Sequence, residues 1–177
     1  MSDRPGGAAH VAGMPPEEAM RLALAQAANA RQLGEVPVGA IVVLDGRVIG
    51  EGFNQPIAAV DPTAHAEVIA LRAAAREIGN YRLTGSVLCV TVEPCLMCVG
   101  AMIHARVRQV IFGAPEPRAG ALVSATRAHE MPGLNHRIEV VGGVLEAECR
   151  RTMQEFFEER RAKGEASRQA PHESEDP

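Results

Sequence analysis

Two short stretches, "AHAE" at 64–67 and "EPCLMC" at 93–98, carry the residue types from which a metal-assisted reaction can be built. Cys95 and Cys98 stand three positions apart, so on a helix their side chains share one face. Pro94 ahead of them pre-sets a first helical turn, where the helix dipole and unpaired N–H groups favour thiolate over thiol. Taken alone, the pair reads as a metal clamp, a redox dithiol or two small buried residues, and all three stay open. His65 alone reads more readily as a cap or a core residue. Together, His65, Cys95 and Cys98 make three ligands of zinc-preferring character. A structural zinc takes four ligands, whereas three leave a position open for water. Glu67 then reads as a proton carrier and not a ligand, because a carboxylate in an apolar run costs free energy unless it has a partner or a task.

The spacing of His65 and Glu67 poses a geometric problem. Residues two apart on a helix point to different sides. The conflict disappears if both sit in the first turn, because the reacting centre then lies beyond the helix end. Thr63, or the residues just before it, would cap that turn. Thirty positions separate His65 from Cys95, enough for one helix and one strand. That length would bring two helix N-termini to the same edge of a sheet.

The flanking pattern supplies those elements. "PPEEAMRLALAQAANARQLG" opens with proline and glutamate and stops at Gly34, a helix of about 17 residues. "VPVGAIVVLDGRVIGEGFN" reads as two strands around Asp45–Gly46, a favoured hairpin turn. "TAHAEVIALRAAAREIG" is helical and ends at Gly79, "SVLCVTV" is a buried strand, and "PCLMCVGAMIHA" is helical. "VRQVIFGA" and "RIEVVGG" are strands, separated by a poorly patterned segment with room for one short helix, and "LEAECRRTMQEFFEERRAK" closes the domain as an amphipathic helix. Helices alternating with strands predict an α/β fold, a mixed sheet covered on both faces. The expected organisation is a disordered lead at 1–14, one domain at 15–163 and a disordered polar tail at 164–177.

Composition narrows the class. The chain has 177 residues, 46% hydrophobic and 23% charged, which suits one globular domain. No apolar stretch reaches the roughly 18 residues of a membrane span, and the first residues lack the pattern of a signal peptide. The expected location is cytoplasmic, where four cysteines stand as thiols and not disulfides. A net charge of −4 argues against a general nucleic-acid coating protein, though not against a local basic site. Arg72, Arg76, Arg82, Arg106, Arg108, Arg150, Arg151, Arg160 and Arg161 are candidates for phosphate contacts, each read singly as a solvated surface charge. At least one of Phe156 and Phe157 belongs to the core of the closing helix.

At this point the residues resemble a family. "HAE" followed by "PCLMC" matches H-x-E … P-C-x-x-C, the established signature of the zinc-dependent nucleobase deaminases. "EVPVGAIVV", "VIGEGFNQPI", "DPTAHAEVIALR", "EPCLMCVGAMIHARV" and "NHRIEV" look closest to the tRNA-specific adenosine deaminases, over roughly residues 17–163. The resemblance implies a three-layer α/β/α sandwich with a five-stranded mixed sheet, one Zn2+ per chain and a homodimer. It implies conversion of the wobble adenosine of a tRNA anticodon to inosine. A deaminase of a free base or nucleoside, such as guanine or cytosine, is the alternative. It implies His65, Cys95 and Cys98 as ligands and Glu67 as the catalytic proton carrier, with Asn54, the N–H of Ala66 and Glu116 against the substrate. The loop "PEPRAG" departs from the family, carrying Glu116 and Arg118 where Asp and Lys are usual, between Pro115 and Pro117.

Overall fold

The computed structural model describes residues 13–169 of the chain. Helix α1 (Pro16–Gln32) starts on proline with Glu17 and Glu18 in its first turn, where carboxylates meet the positive end of the dipole. Strands β1 (Gly39–Leu44) and β2 (Arg47–Phe53) follow as a hairpin. Its turn residues Asp45 and Gly46 have φ of 49° and 76°, the left-handed pair that a two-residue turn of this hand requires. Helix α2 (Ala66–Ile78) stops at Gly79, whose φ of 66° ends the helix without a Cβ penalty. Strand β3 (Val87–Val92), helix α3 (Leu96–His104), strands β4 (Gln109–Ala114) and β5 (Glu139–Gly142) and helix α4 (Glu146–Gln169) complete the order.

The sheet runs β2-β1-β3-β4-β5. β1 is antiparallel to both its neighbours, and β3, β4 and β5 are parallel. The expected five-stranded mixed sheet is therefore present. β3 and β4 are buried along their whole length, because helices cover both faces. Alternate side chains divide the core. Ala40, Val42, Leu88, Val90, Val110 and Phe112 pack with α2 and α3. Ile41, Val43, Val87, Cys89 and Ile111 pack with α1 and with Cys149 of α4. All four cysteines are free thiols. Burial pushes the Cys149 thiol up to about 11 and the Cys89 thiol higher still.

Two boundaries differ from expectation. Between β4 and β5 the one helical element is a single 3-10 turn, Ala128–Glu130. The backbone N–H groups of 122–126 bond instead to Glu93 and to the carbonyl of Gly120, so they are not free to build an α-helix. Helix α4 runs to Gln169 and so past the boundary expected at 163. Most of the lead expected at 1–14, and the tail residues after 169, lie outside the described residues.

Glycines set how closely the layers approach. A Cβ on Gly39 would lie 2.1 Å from the carbonyl oxygen of Ala23 and 2.3 Å from the nitrogen of Ala27, so α1 rests directly on the β1 backbone. A Cβ on Gly50 would lie 2.3 Å from the carbonyl oxygen of Ala70, and α2 rests on β2 in the same way. No rotamer change can relieve a clash with backbone atoms. Gly39→Ala is expected to cost about 2–3 kcal/mol, the upper range for overpacking a core, read as a lower urea midpoint with an unchanged slope.

Candidate active site

The direction of the strands explains why the site forms. β1 is antiparallel to both β2 and β3, so β2 and β3 run the same way and end at the same edge of the sheet. The chain leaving β2 enters α2, and the chain leaving β3 enters α3. Both helices therefore start at that edge. His65 is the N-cap of α2, with φ −77° and ψ 149°, and Cys95 is the N-cap of α3, with φ −77° and ψ 171°. Because His65 lies in extended backbone just outside the helix, it and Glu67 in the first turn can face one centre. Thr63 does not cap α2; its N–H and hydroxyl both donate to Asp61.

The three expected ligand residues converge. Cys95 Sγ lies 3.6 Å from Cys98 Sγ, and His65 Nδ1 lies 3.7 Å and 3.6 Å from the two sulfurs. Tetrahedral zinc, with bonds of about 2.3 Å to sulfur and about 2.0–2.1 Å to nitrogen, spaces such donors roughly 3.6–3.8 Å apart. The donor set and its spacing fit zinc, and these three residues are the one such group among the described residues. A hydrogen bond from Cys98 draws the Cys95 thiol down to about 4, while Cys98, as donor to that thiolate, is pushed up. His65 is raised by its own bond to Cys95, against the effect of burial.

Glu67 is buried at 3% exposure, and burial pushes its carboxyl up to about 6. The Cys95 thiolate adds to the rise, while the residue's own N–H and His65 oppose it. His65, Glu67, Asn54, Glu116 and Cys95 line one cavity of about 170 Å3, walled by Val36, Val38, Val92 and Met153. Of the expected site residues, only Ala66 and the fully buried Cys98 are not on its wall. Asn54 Oδ1 accepts the N–H of Ala66 at 2.9 Å, so the N–H expected to hold a substrate ring is itself held by the neighbouring expected contact. Asn54, just past β2, thereby satisfies the first N–H of α2 from outside the helix.

Two further carboxylates, not singled out from the sequence, shape the site. Glu35 is 2% exposed, and its Oε1 accepts the N–H groups of Ile57 and Ala58, both at 2.8 Å, holding the loop that follows Asn54. Glu93, 3% exposed, accepts the N–H groups of Glu116, Leu122, Val123 and Ser124 at 2.8–3.1 Å and the hydroxyl of Ser124. Burial alone would raise the Glu93 carboxyl, but the donors, led by Ser124, outweigh it and hold it below the usual range. Leaving one such N–H unpaired costs about 1–3 kcal/mol. The signal for both residues was present, because each is a single carboxylate in an apolar run, "EVPVGAI" and "VTVEPCL".

The family described as "Cytidine and deoxycytidylate deaminase zinc-binding region" matches residues 15–114, and the chain belongs to it. Its resemblance is closer to one branch. The tRNA-specific adenosine deaminase of Haemophilus influenzae is 49% identical over 146 residues, covering 82% of this chain and 84% of that one. The tRNA-specific adenosine deaminase of Bacillus subtilis is 40% identical, covering 84% of this chain and 92% of that one. A solved structure from work on A-to-I editing by tRNA:A34 deaminases at the wobble position is 41% identical with a TM-score of 0.74, covering 76% of this chain and 98% of that one. A guanine deaminase structure from Bacillus subtilis is 39% identical with a TM-score of 0.55, over 58% of this chain and 66% of that one. Within the deaminase family, the chain groups with the tRNA-specific adenosine deaminases.

The raised Glu67 carboxyl has a definite pH signature. A group whose folded pKa lies above its unfolded value contributes stability that is complete at low pH and lost as pH rises. With the metal chelated, wild type should lose about 2 kcal/mol at this residue between pH 4.5 and about 6. Glu67→Gln removes that loss. Unfolding curves of the two proteins should coincide near pH 4 and separate above pH 6, with the variant the more stable.

Proposed function

We propose that this protein is a zinc-dependent hydrolase that deaminates the wobble adenosine of a tRNA anticodon to inosine, with release of ammonia. Zinc in a three-residue site supplies Lewis acidity, making water acidic enough to lose a proton near neutral pH. His65, Cys95 and Cys98 hold the ion. Glu67, buried beside the ligand residues, would take a proton from the attacking water and pass it to ring N1, then carry the proton of the new C6 hydroxyl to the amino group, so that the C6–N bond breaks and ammonia leaves as the carbonyl forms. The bond between Asn54 and the Ala66 N–H would fix Asn54 where it meets the base, and Glu116 lines the same cavity.

The observation that carries the RNA reading is the shape of the cleft. A cavity of about 730 Å3 adjoins the site and shares Val92, Glu116 and Met153 with it. Arg118, Arg161 and Phe157 line it, together with Glu158 and with Arg150, which is paired to Glu146. A free base has no use for that second space. A nucleotide flanking the target base would meet guanidinium groups for its phosphate and a ring for stacking. Phe156 is buried in the core, whereas Phe157 is 41% exposed and edge-on to it, so Phe157 is the one able to stack.

A homodimer fits the exposed apolar residues on α3 and just after α2. Tyr81, at 64% exposure, lines a shallow apolar groove between α2 and α3, and Leu96, at 63%, and Met97 are exposed in the first turn of α3. Patches of this kind favour a partner surface over water. No helix among the described residues is long and apolar enough to cross a membrane, and a cytoplasmic setting places the enzyme with its substrate. The domain proper is taken to span 15–163.

The direct test incubates the zinc-loaded protein with an anticodon stem-loop carrying adenosine at the wobble position, with free guanine and cytosine as parallel substrates. Inosine is expected from the stem-loop alone; ammonia from a free base instead would install the alternative. Glu67→Gln should keep one zinc per chain and lose activity by a factor of about 10²–10⁴, the usual worth of a proton carrier. By sedimentation, wild type should run at twice the chain mass, and Leu96→Glu, which places a charge on the exposed apolar start of α3, at the monomer mass.

A further inference from the structure

We propose that Glu93 is the positioning residue of the substrate-gripping loop: its carboxylate is the hub around which residues 116–124 fold, and that fold sets where Glu116 and Ala119 stand at the mouth of the site. The inference deepens the deaminase reading and rests on it for its kinetic arm. Glu93 directly follows β3 and precedes Pro94 and Cys95. Oε1 accepts three successive N–H groups, from Leu122 at 3.1 Å, Val123 at 2.8 Å and Ser124 at 3.0 Å. Oε2 accepts the N–H of Glu116 at 3.1 Å and the Ser124 hydroxyl. Both ends of the loop thus close on one buried anion, the arrangement that converging backbone N–H groups favour.

The loop wraps tightly enough to exclude any side chain at Gly120. A Cβ there would lie 2.4 Å from Glu93 Oε2 and Cδ, and 2.6 Å from the Glu116 carbonyl oxygen. On its inner side the loop is tied to the ligand-bearing turn, through the bridge between Cys95 and Gly120 and the bond from the Ala121 N–H to the Pro94 carbonyl at 2.8 Å. Pro115 and Pro117 fix two φ angles and contribute no N–H. What remains adjustable is set by the hub. Glu116 and Ala119 line the site cavity, but the loop supplies neither a zinc ligand nor the proton-carrying Glu67. Loosening the hub should therefore weaken the hold on substrate and spare the chemistry.

Glu93→Gln isolates the charge at constant shape. The amide keeps one oxygen for residues 122–124 but turns an NH2 toward the Glu116 N–H, donor against donor. In zinc-loaded protein with the stem-loop substrate, KM should rise about tenfold while kcat stays within about threefold, the signature of lost binding and not lost transition-state stabilisation. Zinc should stay at one per chain. Amide exchange at Glu116, whose acceptor is lost, should quicken by about tenfold or more as the loop opens locally. Gly120→Ala should give the same split by crowding the carboxylate, and it carries the test if Glu93→Gln does not fold. A lowered kcat or lost zinc with unchanged KM would overturn the proposal, as would unchanged amide exchange. The two readings fail separately. Wild type that makes no inosine, with the exchange effect intact, rejects the deaminase reading alone. Active wild type beside a Glu93→Gln protein of wild-type KM and exchange rejects the hub alone.

Discussion

The site rests on a constraint of strand direction. Because β1 runs against both β2 and β3, the chain comes off β2 and off β3 at one edge, and two helices must begin side by side there. Helix beginnings present unpaired N–H groups and positive dipole ends, an environment that stabilises sulfur anions. His65 and Cys95 occupy equivalent cap positions on the two helices, and Cys98 enters from the first turn of the second. The donor triangle is thus a property of topology first and of side-chain packing second. The glycine contacts at Gly50 and Gly52 keep α2 seated on the sheet and so fix where His65, at its start, stands.

Three carboxylates in the same neighbourhood are nearly inaccessible to water, and they divide by what they touch. Glu35 and Glu93 are ringed by backbone N–H donors and serve as anchors for the loops on either side of the cleft. Glu67 accepts only its own N–H and the Cys98 thiol and faces the Cys95 sulfur, and burial outweighs them, so its ionised form is the costly one. Burial in one setting makes a fixed strut, and in the other a group ready to exchange a proton. The difference lies in donor count, not in residue type.

Much of this was legible in the sequence because the signals are local. Asp45–Gly46 and Gly79 mark their turn and stop through backbone conformations that few residues adopt. The spacing of Cys95, Cys98 and His65, with Glu67, marks the site because those residue types are expensive to leave without a function. Less legible were features decided by distant partners. The segment after β4 has N–H groups that answer to Glu93, some thirty positions earlier, so no periodic pattern could show that it would not form an α-helix. Asn54 as an external cap of α2, and its hold on the Ala66 N–H, likewise depend on a fold already formed. The end of α4 falls later than its pattern suggests because apolar residues run out near 163, whereas a polar helix continues without them.

The partition of the four sulfurs bears on how the protein meets oxidative stress. Cys89 and Cys149 are sealed in the core with their protons held firmly, and they offer a peroxide no anion to attack. The nucleophilic sulfur is confined to the ion-holding turn, where Cys95 and Cys98 lie close enough to join once stripped of metal. An oxidant would therefore meet its first reactive sulfur at the site and not in the core.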